Sequence, residues 1–240
     1  MLWTALTVLT ALAWLYLIRM PMTPADVGGI GARLLRAIPP SLADAWLIFM
    51  MWAVMMVAMM LPSASPMVLA YARIAHSRID TPRSAVWLFA GAYLVVWIIF
   101  SAVAAAGQIA MQRAALLTGQ LTTTPLISGI ILVAAGVYQF TPLKDACLGS
   151  CRTPLGFFMT EWRAGGLGAF RMGLRHGAYC VGCCWTLMLL LFVLGVMNLL
   201  WVAALSALVL LEKATPWGCT VARGAAFIMI IAGVAVAFVL

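Results

Sequence analysis

From Leu174 to Leu211 the chain runs 38 residues with Arg175 as its single charged side chain. A helix crosses a bilayer with about 20 mostly apolar residues, so this run is too long for one crossing and suits two. Two crossings need a tight turn, and Gly195 to Asn198 is the place for it. The same apolarity extends through the sequence: of 240 residues, 66% are hydrophobic and 8% charged, with a mean hydropathy of +1.12. Ordinary soluble domains are about 45–50% apolar and about 25% charged. A chain so poor in polar surface is excluded from the soluble, disordered and disulfide-scaffold classes. It is also not a nucleic-acid binder, despite a pI near 9.6.

The composition predicts an all-α fold: a polytopic membrane helix bundle of about seven transmembrane helices, one domain over residues 1–240. The spans are residues 1–18, 44–71 with Pro62 and Pro66 breaking its ladder, 84–107, 125–140, two within 174–211, and 220–240. Residues 1–18 read as a retained helix, because no Lys or Arg precedes them and no clear small-x-small cleavage site follows. Positive charge sets orientation. With the N-terminus inside, the cytoplasmic loops carry Arg73, Arg78, Arg83, Lys144, Arg152, Arg163, Arg171, Arg175, Lys213 and Arg223. The outer loops carry Arg19, Arg33, Arg36 and Arg113, a split of ten to four. Merging 174–211 into one helix would move Lys213 and Arg223 outside and worsen the split to eight against six. The first loop runs against this trend, and Ile30, Leu34, Leu35 and Ile38 beside its arginines read as a short interfacial helix. The expected setting is a bacterial inner membrane, crossed several times, with the lipid bilayer as the first partner and residues 141–173 as a cytoplasmic loop.

In this topology all six cysteines and both histidines fall in the cytoplasmic half. The inner loop carries Cys147-x-x-x-Cys151, and the next helix opens His176-x-x-x-Cys180-x-x-Cys183-Cys184. Positions i, i+3 and i+4 share a helix face, so Cys180 stands beside Cys184 and His176, with Cys183 next to Cys180. A single buried Cys usually packs as a small hydrophobe. Five in two spaced clusters, in a compartment that keeps thiols reduced, weigh toward metal or catalysis. The spacing is not a zinc-finger pattern, and soft thiolates select Cu(I), Zn(II) or iron–sulfur chemistry. The expectation is one site in which Cys147 and Cys151 lie close to Cys180 and Cys184, with Cys183 as a transfer ligand or a packing residue. Cys219 stands apart, and His76 reads as a solvated surface histidine.

The second span adds a row of methionines. Met51, Met55 and Met59 form one i, i+4 stripe, and Met56 and Met60 form the adjacent one. Thioethers are neutral soft ligands suited to Cu(I) and poor for Zn(II), although Met also fills irregular gaps between helices. Met55, Met56, Met59 and Met60 are therefore candidate relay ligands leading to the cysteines. Pro62 and Pro66 free backbone carbonyls that neighbours or water must satisfy, which places this end of the helix against protein or a cavity. Glu212-Lys213, at the inner end of the sixth span, reads either as a functional ionisable site or as a Glu–Lys pair at the interface. No nucleotide-binding loop is present to couple the chain to ATP.

Four segments carry a resemblance. They are Met55-Met56-x-x-Met59-Met60-Leu61-Pro62-Ser63-x-x-Pro66; Tyr138-Gln139-x-x-Pro142-Leu143-Lys144-x-x-Cys147-Leu148-x-x-Cys151-Arg152-x-Pro154; Gly173-x-x-x-Gly177-x-x-Cys180-x-Gly182-Cys183-Cys184-Trp185-x-Leu187-Met188; and Glu212-Lys213. Together, over residues 44 to 235, the chain resembles a bacterial family of integral membrane proteins predicted to bind metal, a domain of unknown function sometimes labelled a copper chaperone. The resemblance implies a polytopic inner-membrane protein that handles metal, with no settled reaction. It carries no role to Cys219 or His76.

Two function classes follow. The first is a membrane protein, not an enzyme, that binds and transfers Cu(I) through the cysteine cluster and the Met-rich helix. It would deliver the ion across the membrane, along it, or to a membrane-bound cuproenzyme or other metal-handling partner. The second is a membrane thiol–disulfide oxidoreductase. A non-catalytic assembly subunit whose cysteines only pack is the third alternative.

Overall fold

The structure, a computed structural model, describes residues 2–19, 41–117, 122–196 and 198–239. It is built from helices α1 (Leu2–Arg19), α2 (Leu42–His76), α3 (Ala85–Arg113), α4 (Pro125–Tyr138), α5 (Pro142–Arg152), α6 (Pro154–Glu161), α7 (Gly165–Leu189), α8 (Leu191–Leu194), α9 (Leu199–Ala214) and α10 (Gly218–Val239). Among the described residues the only non-helical pairing is an isolated bridge between Leu117 and Thr123. The all-α expectation is met. The interfacial helix expected around Ile30 to Ile38 lies outside the described residues.

α2 is the central element. It packs against α1, α3 and α9, while α7 lies along α3 and α10 along α4. Between Met55 and Ala64 nearly every side chain of α2 is buried, including Met55, Met56, Met59 and Met60. A helix apolar all round belongs inside a bundle, where neighbours cover it on every side. Its N-terminus is set by a capping box: the Ser41 hydroxyl accepts from Asp44 N–H, and the Asp44 carboxylate accepts from Ser41 N–H.

Pro62 and Pro66 leave α2 continuous, and the neighbours show why. Pro62 has no N–H for the Ala58 carbonyl four residues back. The Trp14 indole of α1 donates to that carbonyl at 3.1 Å. The next carbonyls are met in the same way: Met59 by the Ser206 hydroxyl of α9 at 3.4 Å, and Met60 by the Tyr93 hydroxyl of α3 at 3.2 Å. The carbonyl that Pro62 frees is met by a side chain of another helix, and the two carbonyls after it gain side-chain donors from two more, as a water-poor interior favours.

The structure bears on three of these expectations. Residues 141–173 are helical over most of their length, not a loop. Thr141-Pro142 and Thr153-Pro154 each place a proline in the first helical turn, where its missing N–H costs nothing. The Thr141 hydroxyl caps α5 by accepting from Lys144 N–H at 3.3 Å. Second, the long apolar run divides at Gly195 as expected, with Gly195 at φ 93°, a backbone region that favours glycine. Its first helix begins earlier, at Gly165, and its second spans only 16 residues. At 1.5 Å per residue α9 measures about 24 Å, short of the ~30 Å hydrocarbon layer. Third, five described helices are long and apolar enough to cross a membrane: α1, α2, α3, the α7–α8 run and α10. A sixth is counted if α4 and α5, bent by 65° at their junction, are taken as one broken span.

Candidate metal site

The site starts from α7. Its 3.6-residue period places His176, Cys180 and Cys184 on the buried face, with Cys183 beside them. The Cys183 and Cys184 thiols both donate back to the Cys180 carbonyl, at 3.2 and 2.9 Å. α5 packs across this face and brings a fourth buried sulfur, Cys151, into one buried cluster with Cys180, Cys183 and Cys184. Cys147 comes close to α7 at Gly182, where a Cβ would lie 2.8 Å from its sulfur. Only a glycine permits that approach. All six cysteines are free thiols.

One buried lysine, Lys213, borders the sulfurs, and a second, Lys144, lies on α5 with Cys147 and Cys151. Lys213 Nζ donates to Cys180 Sγ at 2.8 Å and to Ser63 Oγ of α2 at 3.2 Å. Lys144 Nζ forms an ion pair with Glu212 Oε2 at 2.8 Å and also donates to the Gln139 amide oxygen. The expected Glu212–Lys213 pair does not form. Adjacent helical residues point about 100° apart, so Glu212 turns to α5 and Lys213 to α7. Lys213 is thus the cation at Cys180, while Arg175 pairs with Glu161 at 2.7 Å.

The methionine helix meets this cluster through Tyr93, whose hydroxyl bonds to the Met60 carbonyl and lies 3.2 Å from Cys180 Sγ. Met55, Met56, Met59 and Met60 share one buried cluster with Cys151, Cys180, Cys183 and Cys184. They do not face lipid. His176 is buried among Tyr93, Phe89 and Phe157, with ring centroids at 5.3, 6.0 and 5.7 Å. Its Nδ1 has no hydrogen-bond partner among the described residues. No hydrogen bond joins it to the sulfurs, so the shared helix face brings His176 beside the aromatic side of the site. His76 is exposed, as expected. Cys219 is exposed on α10, where the Arg152 guanidinium donates to it at 3.1 Å.

Among the described residues, no three His, Cys, Asp or Glu side chains stand as a ready-formed metal cage. The donor set is nevertheless a soft one, four buried thiols with thioethers nearby, which suits a soft cation over a hard one. Tyr93 and Ser63 escaped the sequence reading. A tyrosine or serine within an apolar helix is an ordinary sight, and the only signal at Ser63 was its place between two prolines.

A family model described as a copper chaperone, PpoB2, matches residues 49–236. No curated protein and no solved structure matches the chain. The matched region takes in every residue of the site and leaves α1 outside it.

Proposed function

The chain belongs to the copper chaperone family, and on that premise we infer that it is a multi-pass protein of the bacterial inner membrane that binds Cu(I) and passes it on. The observation that supports this reading is the burial of Cys151 from α5 in one cluster with Cys180, Cys183 and Cys184 from α7, beside the Lys213 ammonium. Cu(I) is content with two or three sulfurs. Zn(II) asks for four tetrahedral N or S ligands, and among the described residues no three His, Cys, Asp or Glu side chains stand as such a cage. Cys147, at the edge of the cluster, is placed to take the ion on or off, with His176 as a reserve ligand. Met55, Met56, Met59 and Met60 form the approach: neutral thioethers hold Cu(I) less firmly than thiolates, so an ion moves toward the cysteines. With the N-terminus inside, the cysteines lie toward the cytoplasm, and the receiver is a membrane-bound cuproenzyme or another metal-handling protein.

The test is the metal content of the detergent-purified full chain, reduced and loaded with Cu(I). Wild type should retain copper, and Cys151→Ser and Cys180→Ser should lose most of it. Copper content in the wild type no higher than in the Cys151→Ser/Cys180→Ser double variant refutes the reading. The proximity of Cys151 and Cys180 on separate helices also favours a second reading, thiol–disulfide exchange with a partner dithiol. Turnover of a protein disulfide by the copper-free chain would select it.

A further inference from the structure

We propose that Lys213 determines the valence selectivity of this site: its fixed positive charge makes a monovalent soft cation held by two thiolates electrically neutral, and penalises a divalent one. The inference rests on the copper-binding reading above and specifies which ion that site prefers.

The argument is one of charge balance at a buried position. Lys213 is 9% exposed. The ion pairs among the described residues are Lys144–Glu212 and Arg175–Glu161, and neither includes Lys213. Glu212, its neighbour in sequence, is taken by Lys144, and that pair cancels itself. The Lys213 charge is therefore directed at Cys180 Sγ, 2.8 Å away, with the neutral Ser63 hydroxyl as its other partner. A net charge in so apolar a setting is costly, so occupants that bring the site to neutrality are favoured.

Cys180 and Cys151 offer sulfurs from two helices packed into one buried cluster. A monovalent cation on two thiolates carries one net negative charge, and the Lys213 ammonium cancels it. A divalent cation on the same two thiolates is already neutral, so Lys213 leaves the site with one net positive charge. To restore balance a divalent ion must recruit a third thiolate. The available thiols, Cys183 and Cys184, hold their S–H groups on the Cys180 carbonyl. Removing the ammonium reverses the preference: the divalent bis-thiolate becomes the neutral one.

The test compares Ag(I), a redox-silent monovalent probe, with Zn(II), binding each to the reduced, detergent-purified full chain. In Lys213→Met or Lys213→Gln the ratio of Ag(I) to Zn(II) affinity should fall at least about tenfold, the size expected of one unscreened charge at contact distance. Lys213→Arg keeps the charge and should hold the ratio within about threefold of wild type. Ser63→Asp places a carboxylate beside Lys213, cancels its charge without removing it, and should lower the ratio as the neutral variants do. This variant keeps the inference testable should Lys213→Met fail to fold. A merely structural lysine would weaken both metals together and leave the ratio fixed. An unchanged ratio in a protein that binds Ag(I) overturns this inference and leaves the copper reading standing. A wild type that binds no Ag(I) overturns both.

Discussion

Lys144 Nζ lies 2.8 Å from Glu212 Oε2, both side chains buried, and this contact ties the helix that carries Cys147 and Cys151 to the helix that carries Lys213. The Lys144 ammonium is shared with the Gln139 amide at the α4–α5 junction, so one cation also anchors the 65° bend. At the other end of α5, Arg152 donates to the Thr215 and Pro216 carbonyls just past α9, at 2.7 and 3.1 Å, so α5 is held there from both ends.

Breaking that pair from one side should be expensive. Glu212→Gln or Lys144→Met leaves a buried charge without its partner, an expected loss of about 3–5 kcal/mol. The Lys144→Met/Glu212→Met double variant removes both charges and should recover most of that loss. Thermal denaturation of the detergent-solubilised variants reads the stability. Faster alkylation of Cys147 in the single variants would report that α5 has come away from α7. Equal loss in single and double variants would show that the pair matters for shape alone.

The Trp14 indole and Pro62 form a second testable couple, because the proline creates the vacancy that the indole fills at Ala58 O. Trp14→Phe should cost about 0.5–1.5 kcal/mol, the usual net worth of such a bond. In a Pro62→Ala background the helix regains its own N–H for Ala58, and the hydrogen-bond part of that cost should vanish. A double-mutant cycle measures the difference. No coupling between the two sites would mean that Trp14 acts only by packing.

Replacing Met55, Met56, Met59 and Met60 together with leucine keeps volume and apolarity, so each exchange should cost less than about 1.5 kcal/mol. Copper uptake should slow while copper already held by the cysteines stays bound. Stopped-flow loading of the reduced protein with Cu(I) makes the measurement. Loading at the wild-type rate, beside abolished binding in Cys180→Ser, would show that the cysteine site works without a methionine approach.

Cys219 is the exposed cysteine of the six, the others being buried or half-buried. It is thus a ready reporter of orientation. With the N-terminus inside, a membrane-impermeant maleimide should label Cys219 in inverted vesicles and leave it unlabelled in intact cells. Labelling from the outside would reverse the orientation and place the thiols in the oxidising compartment, where disulfide exchange becomes the stronger reading.

The helical class, the turn at Gly195 and the two groups of thiols were readable in the sequence because each is local. Apolar run length, a break at glycine and i, i+4 spacing depend on residues within a few turns of one another. The helices of residues 141–173 are also local, announced by Thr141-Pro142 and Thr153-Pro154, but at 11 and 8 residues α5 and α6 are too short to stand out as spans. Cys180 could be assigned a helix face from its spacing to His176 and Cys184. What faces that sulfur could not be assigned.

That Lys213 of α9, Tyr93 of α3 and Ser63 of α2 converge there, and that Glu212 turns away to Lys144, was decided by how the helices pack. Neighbours in a helix diverge by about 100° per residue, so each side chain's partner depends on which helix lies across from it. The sequence by itself determined an apolar, all-helical chain with its soft ligands in two clusters. The tertiary structure alone decided that these clusters meet beside an ammonium, because contacts between residues far apart along the chain are set by packing and not by spacing.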